Sequence, residues 1–173
     1  MAQAKFDFRG WEFTVEAISL KDAKPTPVLG LLWDKSEVVL FCDNSFVETP
    51  PDTITRLVIL SYVNRVFDPI GYTCPVSLQP KILLQESWRT KVSWDSEVST
   101  DMKKTFLKWI EDIKMLHLVK IPRKFLIGDV PSVSFHVFCD ASGISYAAAV
   151  FIRCQSAHET SIQLLAAKSR IAH

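Results

Sequence analysis

The chain is short of the residues that several well-known chemistries require. Its 173 residues hold five glycines with no clustered spacing, so a glycine-rich loop that cradles nucleotide phosphates is excluded. The four cysteines, Cys42, Cys74, Cys139 and Cys154, are far apart. They offer neither the short paired spacing of a zinc site nor a close redox pair. A zinc-binding His-Glu helix is missing, and so is a Gly-Xaa-Ser-Xaa-Gly nucleophile elbow. An aspartic peptidase needs two Asp-Thr-Gly or Asp-Ser-Gly copies sharing a proton. Here Ala141 separates Asp140 from Ser142, and there is no second copy. The net charge of +1 gives no overall field to draw in nucleic acid or an acidic partner. No window of about 18 uncharged apolar residues occurs, and the opening MAQAKFDFRGWEF has no apolar signal core. These absences predict a chain without membrane contact, soluble and cytoplasmic, with reduced cysteines.

What is present is an apolar fraction of 48%, enough to fill a core. Alternation from Lys5 to Val15 predicts a strand. Lys21 to Pro27 is a polar, proline-broken connection. Val28 to Trp33 and Glu37 to Cys42 read as two strands around an Asp34-Lys35-Ser36 turn, with Gly30 marking a bulge or a close backbone approach. Asp52 or Thr53 can cap a helix running to about Phe67, ended by Asp68-Pro69-Ile70-Gly71. A second helix is expected from about Pro75 to Thr90. Pro80 would sit more comfortably in its first turn if it began later, at Ser77 or Leu78. The third helix, from Ser96–Thr100 to Ile113, carries one apolar stripe: Val98, Met102, Phe106, Trp109, Ile110 and Ile113. Lys103, Lys104 and Lys108 lie mostly off that stripe, which by itself describes a solvated face. The basic stretch with Lys120, Arg123 and Lys124 around Pro122 reads as a linker or a short edge strand.

The C-terminal part is the most patterned. Phe135, Val137 and Cys139 alternate with His136 and Phe138, and a second apolar run, Tyr146 to Ile152, follows the small residues Ala141, Ser142 and Gly143. The pattern predicts a hairpin with a buried second strand and a third strand over Ser161 to Ile171. Cys139 and Cys154 are expected as core residues. Asp140 ends the first strand. It is either an acceptor for the turn's hydrogen bonds or a metal-binding carboxylate in a place where a phosphate can approach. Pattern alone favours the turn acceptor. After Asp140 the only acidic residue is Glu159, and one carboxylate cannot hold the two magnesium ions of a two-metal nuclease.

Six blocks in register carry a family likeness: FDFRGWEFT (6–14), PVLGLLWD (27–34), ITRLVILSYVNRVFDPIGYTCPVSLQPKILLQESWR (54–89), VSWD (92–95), HVFCDAS (136–142) and LLAAKSRIA (164–172). In this order they resemble the Pol polyprotein of BEL/Pao retrotransposons. The resemblance implies an α+β chain in three parts. Residues 1–47 would be the end of a reverse transcriptase palm, with a primer-grip-like hairpin at Gly30 and Trp33. Residues 48–128 would be a helical thumb and connection, and 129–173 the start of an RNase H-like fold, a partial antiparallel three-stranded sheet.

The resemblance makes Asp140 the ancestral first metal-binding, catalytic carboxylate of the RNase H-like site. It makes Gly30, Trp33, Lys103, Lys104, Lys108, Lys120, Arg123 and Lys124 contacts to nucleic acid, by phosphate positioning without sequence reading. Implied partners are an RNA–DNA hybrid or a DNA duplex and the remainder of the Pol polyprotein. The implied cofactor is Mg2+ in the complete parent enzyme, with none stably held here. A Tyr-Xaa-Asp-Asp loop and further RNase H carboxylates are absent from the sequence, so a catalytically incomplete fragment is expected. The family region also carries a peptidase label, which gives a hydrolase as the alternative. A domesticated helical interaction module is a third reading.

Overall fold

Three helices between two antiparallel sheets realise the expected α+β class. The computed structural model describes residues 24–45, 47, 49–89, 93–124 and 132–172. The strand expected over Lys5 to Val15 lies outside them. The first sheet has the order β1 (Thr26–Val28), β2 (Leu31–Asp34), β3 (Val39–Cys42) and β4 (Ile121–Pro122). The helices are α1 (Arg56–Arg65), α2 (Cys74–Arg89) and α3 (Thr100–Ile113), the last running into a 3-10 turn at Lys114–Leu118. The second sheet is β5 (Ser132–Ala141), β6 (Ser145–Gln155) and β7 (Thr160–Ile171), in that order.

The first hairpin differs from its sequence reading. Val28 pairs with Leu31 across a two-residue turn, and both turn residues have positive φ, Leu29 at 50° and Gly30 at 80°. Such a turn matches the right-handed twist of its strands, so the chain reverses at Gly30 as well as at Asp34. Phe67 packs so closely that a Cβ on Gly30 would lie 2.1 Å from its ring. The expected close approach is real, but the neighbour is a side chain. At the second reversal, Asp34 Oδ1 accepts from the Ser36 hydroxyl at 2.6 Å and from the Ser36 and Glu37 amides. The Ser36 hydroxyl, then the Glu37 amide, hold this carboxyl below its ordinary range.

Helices α1 and α3 start at small hydroxyl residues that cap them, α1 at Thr55 and not at the expected Asp52 or Thr53. Thr55 Oγ1 accepts from the Val58 amide and Ser99 Oγ from the Met102 amide, each relieving an amide that has no partner inside its helix. The α3 stripe closes the core. Phe106, Trp109, Ile110 and Ile113 are buried with Ile54, Ile59, Tyr62 and Leu83, and Cys42 of β3 joins the same cluster. The Phe106 ring lies edge-on to Tyr62 and stacks on Trp109 at 5.7 Å.

Helix α2 begins at Cys74, earlier than Pro80 makes comfortable. Proline has no N–H to give to the carbonyl four residues back, which here belongs to Val76. That carbonyl accepts instead from the Trp109 indole N–H, at 2.9 Å. Both Pro80 and Trp109 are fully buried. The proline gap in α2 is thus the socket that receives α3.

The block Asp68–Thr73 joins the helices to the second sheet. Asp68 accepts from the amides of Gly71 and Thr73 and from the Thr73 hydroxyl, at 2.6–2.7 Å. This folds the loop so that the Ile70 carbonyl accepts from the Ala167 amide on the outer edge of β7, at 2.7 Å. Gly71 has φ +85°, and a Cβ there would lie 1.7 Å from the Ala167 carbonyl oxygen. Gln85 further along α2 donates to the Ala172 carbonyl, and Ser169 donates back to the Cys74 carbonyl.

The Trp109–Val76 bond can be tested by a double-mutant cycle. Trp109→Phe keeps an aromatic ring and orphans the Val76 carbonyl, at an expected cost of about 1–3 kcal/mol in urea unfolding. In a Pro80→Ala background the new amide can take that carbonyl, so Trp109→Phe should cost measurably less. Equal costs in the two backgrounds would show that the bond contributes nothing.

Candidate nucleic-acid interface

The strand that carries Asp140 is laid down by alternation. β5 pairs with β6 over its whole length, from Ser132 opposite Gln155 to Ala141 opposite Tyr146. Directly opposed residues in an antiparallel sheet share a face, and the faces follow from the register. Asp140, Ala147 and Ser169 stand on one face, which Ser169 ties to α2 through its bond to Cys74. Cys139, Ala148 and Lys168 stand on the other, as do Ala141, Tyr146 and Arg170.

Asp140 is exposed. The β5–β6 turn does not use it. Ser142 Oγ accepts the Ile144 and Ser145 amides, and the Ser142 amide donates to the Ser145 carbonyl. Among the described residues the Asp140 carboxylate takes a local bond from the Ala141 amide, at 2.9 Å. The turn role favoured by pattern alone therefore falls to Ser142, and Asp140 is left facing the grooves around it. On the α2 side it lines a groove of about 580 Å³, floored by Ala147, Ala149 and Ala167 and walled by Pro75 and Leu78. It also lines a larger hollow of about 740 Å³ whose walls include Tyr146, Lys168 and Arg170.

Among the described residues no three His, Cys, Asp or Glu side chains come together, so Asp140 is not part of a carboxylate cluster of the kind that holds the two magnesium ions of a two-metal nuclease. Cys139, Cys154 and His158 do not form a zinc site either. Cys139 lies opposite Ala148 while Cys154 lies opposite Val133, at the other end of β5.

Two burial expectations are corrected here. Cys139 is exposed and not a core thiol, whereas Cys154 is buried. The run Tyr146–Ile152 is not a fully buried strand: Ala147 and Ala148 are exposed and Ile152 is buried. Val133, Phe135 and Val137 on one face of β5 and Phe138 on the other are also exposed. A helix layer against only part of this sheet leaves its apolar side chains in water.

The other expected contact residues do not form one surface. Gly30 is at the β1–β2 turn. Trp33 is 1% exposed, beneath the Arg123 guanidinium 3.8 Å above its ring, and Arg123 is the exposed group of the pair. Lys120 is bonded to Glu37 across β3 and β4, and Lys124 is exposed nearby. Lys103 is occupied, donating to the Asp52 carbonyl at 2.6 Å and to Glu97 at 2.7 Å. It pins the 49–53 approach to α3. Lys104 and Lys108 are exposed and four residues apart, which places them on the same outer face of α3. The sequence pattern does not single out Tyr146, Lys168 and Arg170, although the strand period puts both cations on one face once the register is known.

A model of the Pao retrotransposon-like RNaseH-like domain matches residues 55–173. The chain belongs to this family. No curated protein matches it. The Pao domain match spans the helices as well as the C-terminal sheet, in keeping with the bonds by which Asp68–Thr73 and α2 hold β7. No helix among the described residues is long and apolar enough to cross a membrane.

Burial pushes the Cys42 thiol up, and it pushes the nearby Tyr72 phenol up as well. A thiol pKa raised by folding contributes stability below the ordinary thiol range, and that stability is lost as pH rises through the folded value. Iodoacetamide at neutral pH should therefore modify Cys139 first and leave Cys42 intact until denaturant is added. Unfolding free energy should fall as pH is raised above the ordinary thiol range, and less so in Cys42→Ala. Rapid labelling of Cys42 in the native protein would contradict its burial.

Proposed function

We propose that this Pao domain handles an RNA–DNA hybrid between the reverse transcriptase and RNase H parts of a retrotransposon Pol polyprotein, and that it is catalytically incomplete by itself. The observation that carries this reading is the position of Asp140. It ends the first strand of a three-stranded RNase H-like sheet, faces open grooves, and has no cluster of carboxylates around it among the described residues. A groove with one carboxylate can receive a backbone and cannot assemble two-metal hydrolysis. In this reading residues 1–47 end a reverse transcriptase palm, 48–128 form a thumb and connection, and 129–173 begin the RNase H-like part. The exposed cations Lys104, Lys108, Arg123 and Lys124 are available to position phosphates without reading sequence. The partners are the hybrid, or a DNA duplex, and the rest of the Pol polyprotein.

Fluorescence anisotropy with the 173-residue chain is expected to show hybrid binding that tolerates sequence and weakens steeply with salt. Incubation with Mg2+ should leave the hybrid uncut, and Asp140→Asn should bind at least as tightly as the parent. Absence of binding at low salt would overturn hybrid handling. Cleavage lost in Asp140→Asn would overturn catalytic incompleteness.

A further inference from the structure

The larger hollow beside Asp140 has a composition that the ancestral carboxylate does not explain. Six of its lining residues, Cys139, Ala141, Tyr146, Ala148, Lys168 and Arg170, belong to the sheet face turned away from the α2-facing side. Two of them are cations and both are exposed. Lys168 and Arg170 are two residues apart on β7, so their stems leave the sheet about 6.6 Å apart on one side. That separation is comparable to the step between successive phosphates of one nucleic-acid strand. Tyr146 lies directly across from Arg170 and is 46% exposed, which leaves its ring face available to a sugar or a base. Ala141 and Ala148 keep the floor low between them, so a backbone can descend to the cations.

We infer that the Lys168–Arg170–Tyr146 hollow is a phosphodiester-binding site that holds a nucleic-acid strand without a divalent ion. The inference rests on the hybrid-handling reading and names the residues that do it. Arg170 presents a fork that can take two phosphate oxygens at once, and Lys168 supplies a point charge one phosphate further along. Tyr146 stacks without selecting a base. Because the attraction comes from fixed side-chain cations, EDTA leaves it in place.

The test uses the 173-residue chain and a fluorescent RNA–DNA hybrid, titrated across a salt series with and without EDTA. The double variant Lys168→Ala/Arg170→Ala should bind about tenfold or more weakly. Its slope of log affinity against log salt should be smaller by about 2, close to 0.9 for each lost phosphate contact. The conservative Lys168→Arg/Arg170→Lys pair should restore most of the affinity, and Tyr146→Ala should weaken binding with little change in slope. An unchanged circular dichroism melt in each variant ties the losses to the surface and not to folding. Lys104→Ala/Lys108→Ala provides the comparison on another cationic face. If the parent binds and the Lys168/Arg170 double variant binds equally well, the inference fails while hybrid handling stands. Binding abolished by EDTA and restored by Mg2+ would likewise overturn it. A parent that binds no hybrid at low salt overturns the functional reading and, with it, this site.

Discussion

One hydrogen bond decides how the helices meet. Pro80 denies the Val76 carbonyl its helical donor, and a carbonyl turned toward packed helices is costly to leave without one. The Trp109 indole, brought in by the apolar stripe of α3, supplies it. A hydrophobic contact alone fixes neither the rotation nor the offset of two packed helices, whereas an N–H that must end on one particular carbonyl fixes both. Phe106 and Ile113 then fall against Tyr62 and the rest of the cluster, and the 3-10 turn after α3 delivers β4 to the edge of β3. The backbone defect in α2 is what makes the arrangement specific.

A second constraint links this helical core to the C-terminal sheet. Asp68 spends its carboxylate on the Gly71 and Thr73 amides and the Thr73 hydroxyl, so the loop it closes has one shape. That shape sets Ile70 against β7 and starts α2 in the direction that crosses the sheet. Asp140 gains its groove from this placement, because the wall opposite Ala147 and Ala149 is the first two turns of α2. A loop far from Asp140 in sequence therefore determines what Asp140 faces.

Much of this was legible from residue order. The α3 stripe, the alternation in β5 and the third strand all appear close to where their periods put them, since each follows from local spacing. Other features depend on partners distant in sequence. Pro80 argued for a later start to α2 because Trp109 cannot be anticipated from the helix that needs it. The resemblance makes Trp33 a contact residue, and the cation that covers it comes from Arg123, just after β4. Cys139 suggested a core thiol by its apolar neighbours, but the sheet is not enclosed on that side. Asp140 was found by family likeness more than by pattern. The common face of the two cations near it depends on the register of β6 and β7, which residue order alone does not set.

The two outer strands of the C-terminal sheet have different fates. On β7 the Ile70 carbonyl takes the Ala167 amide, and Gly71 lies against the Ala167 carbonyl. On β5, among the described strands, only the β6 side is paired. An exposed edge is a template for another strand and a blocked edge is not. Among the described residues the β7 edge is occupied at Ala167, whereas a strand laid alongside β5 would rest its backbone next to Asp140.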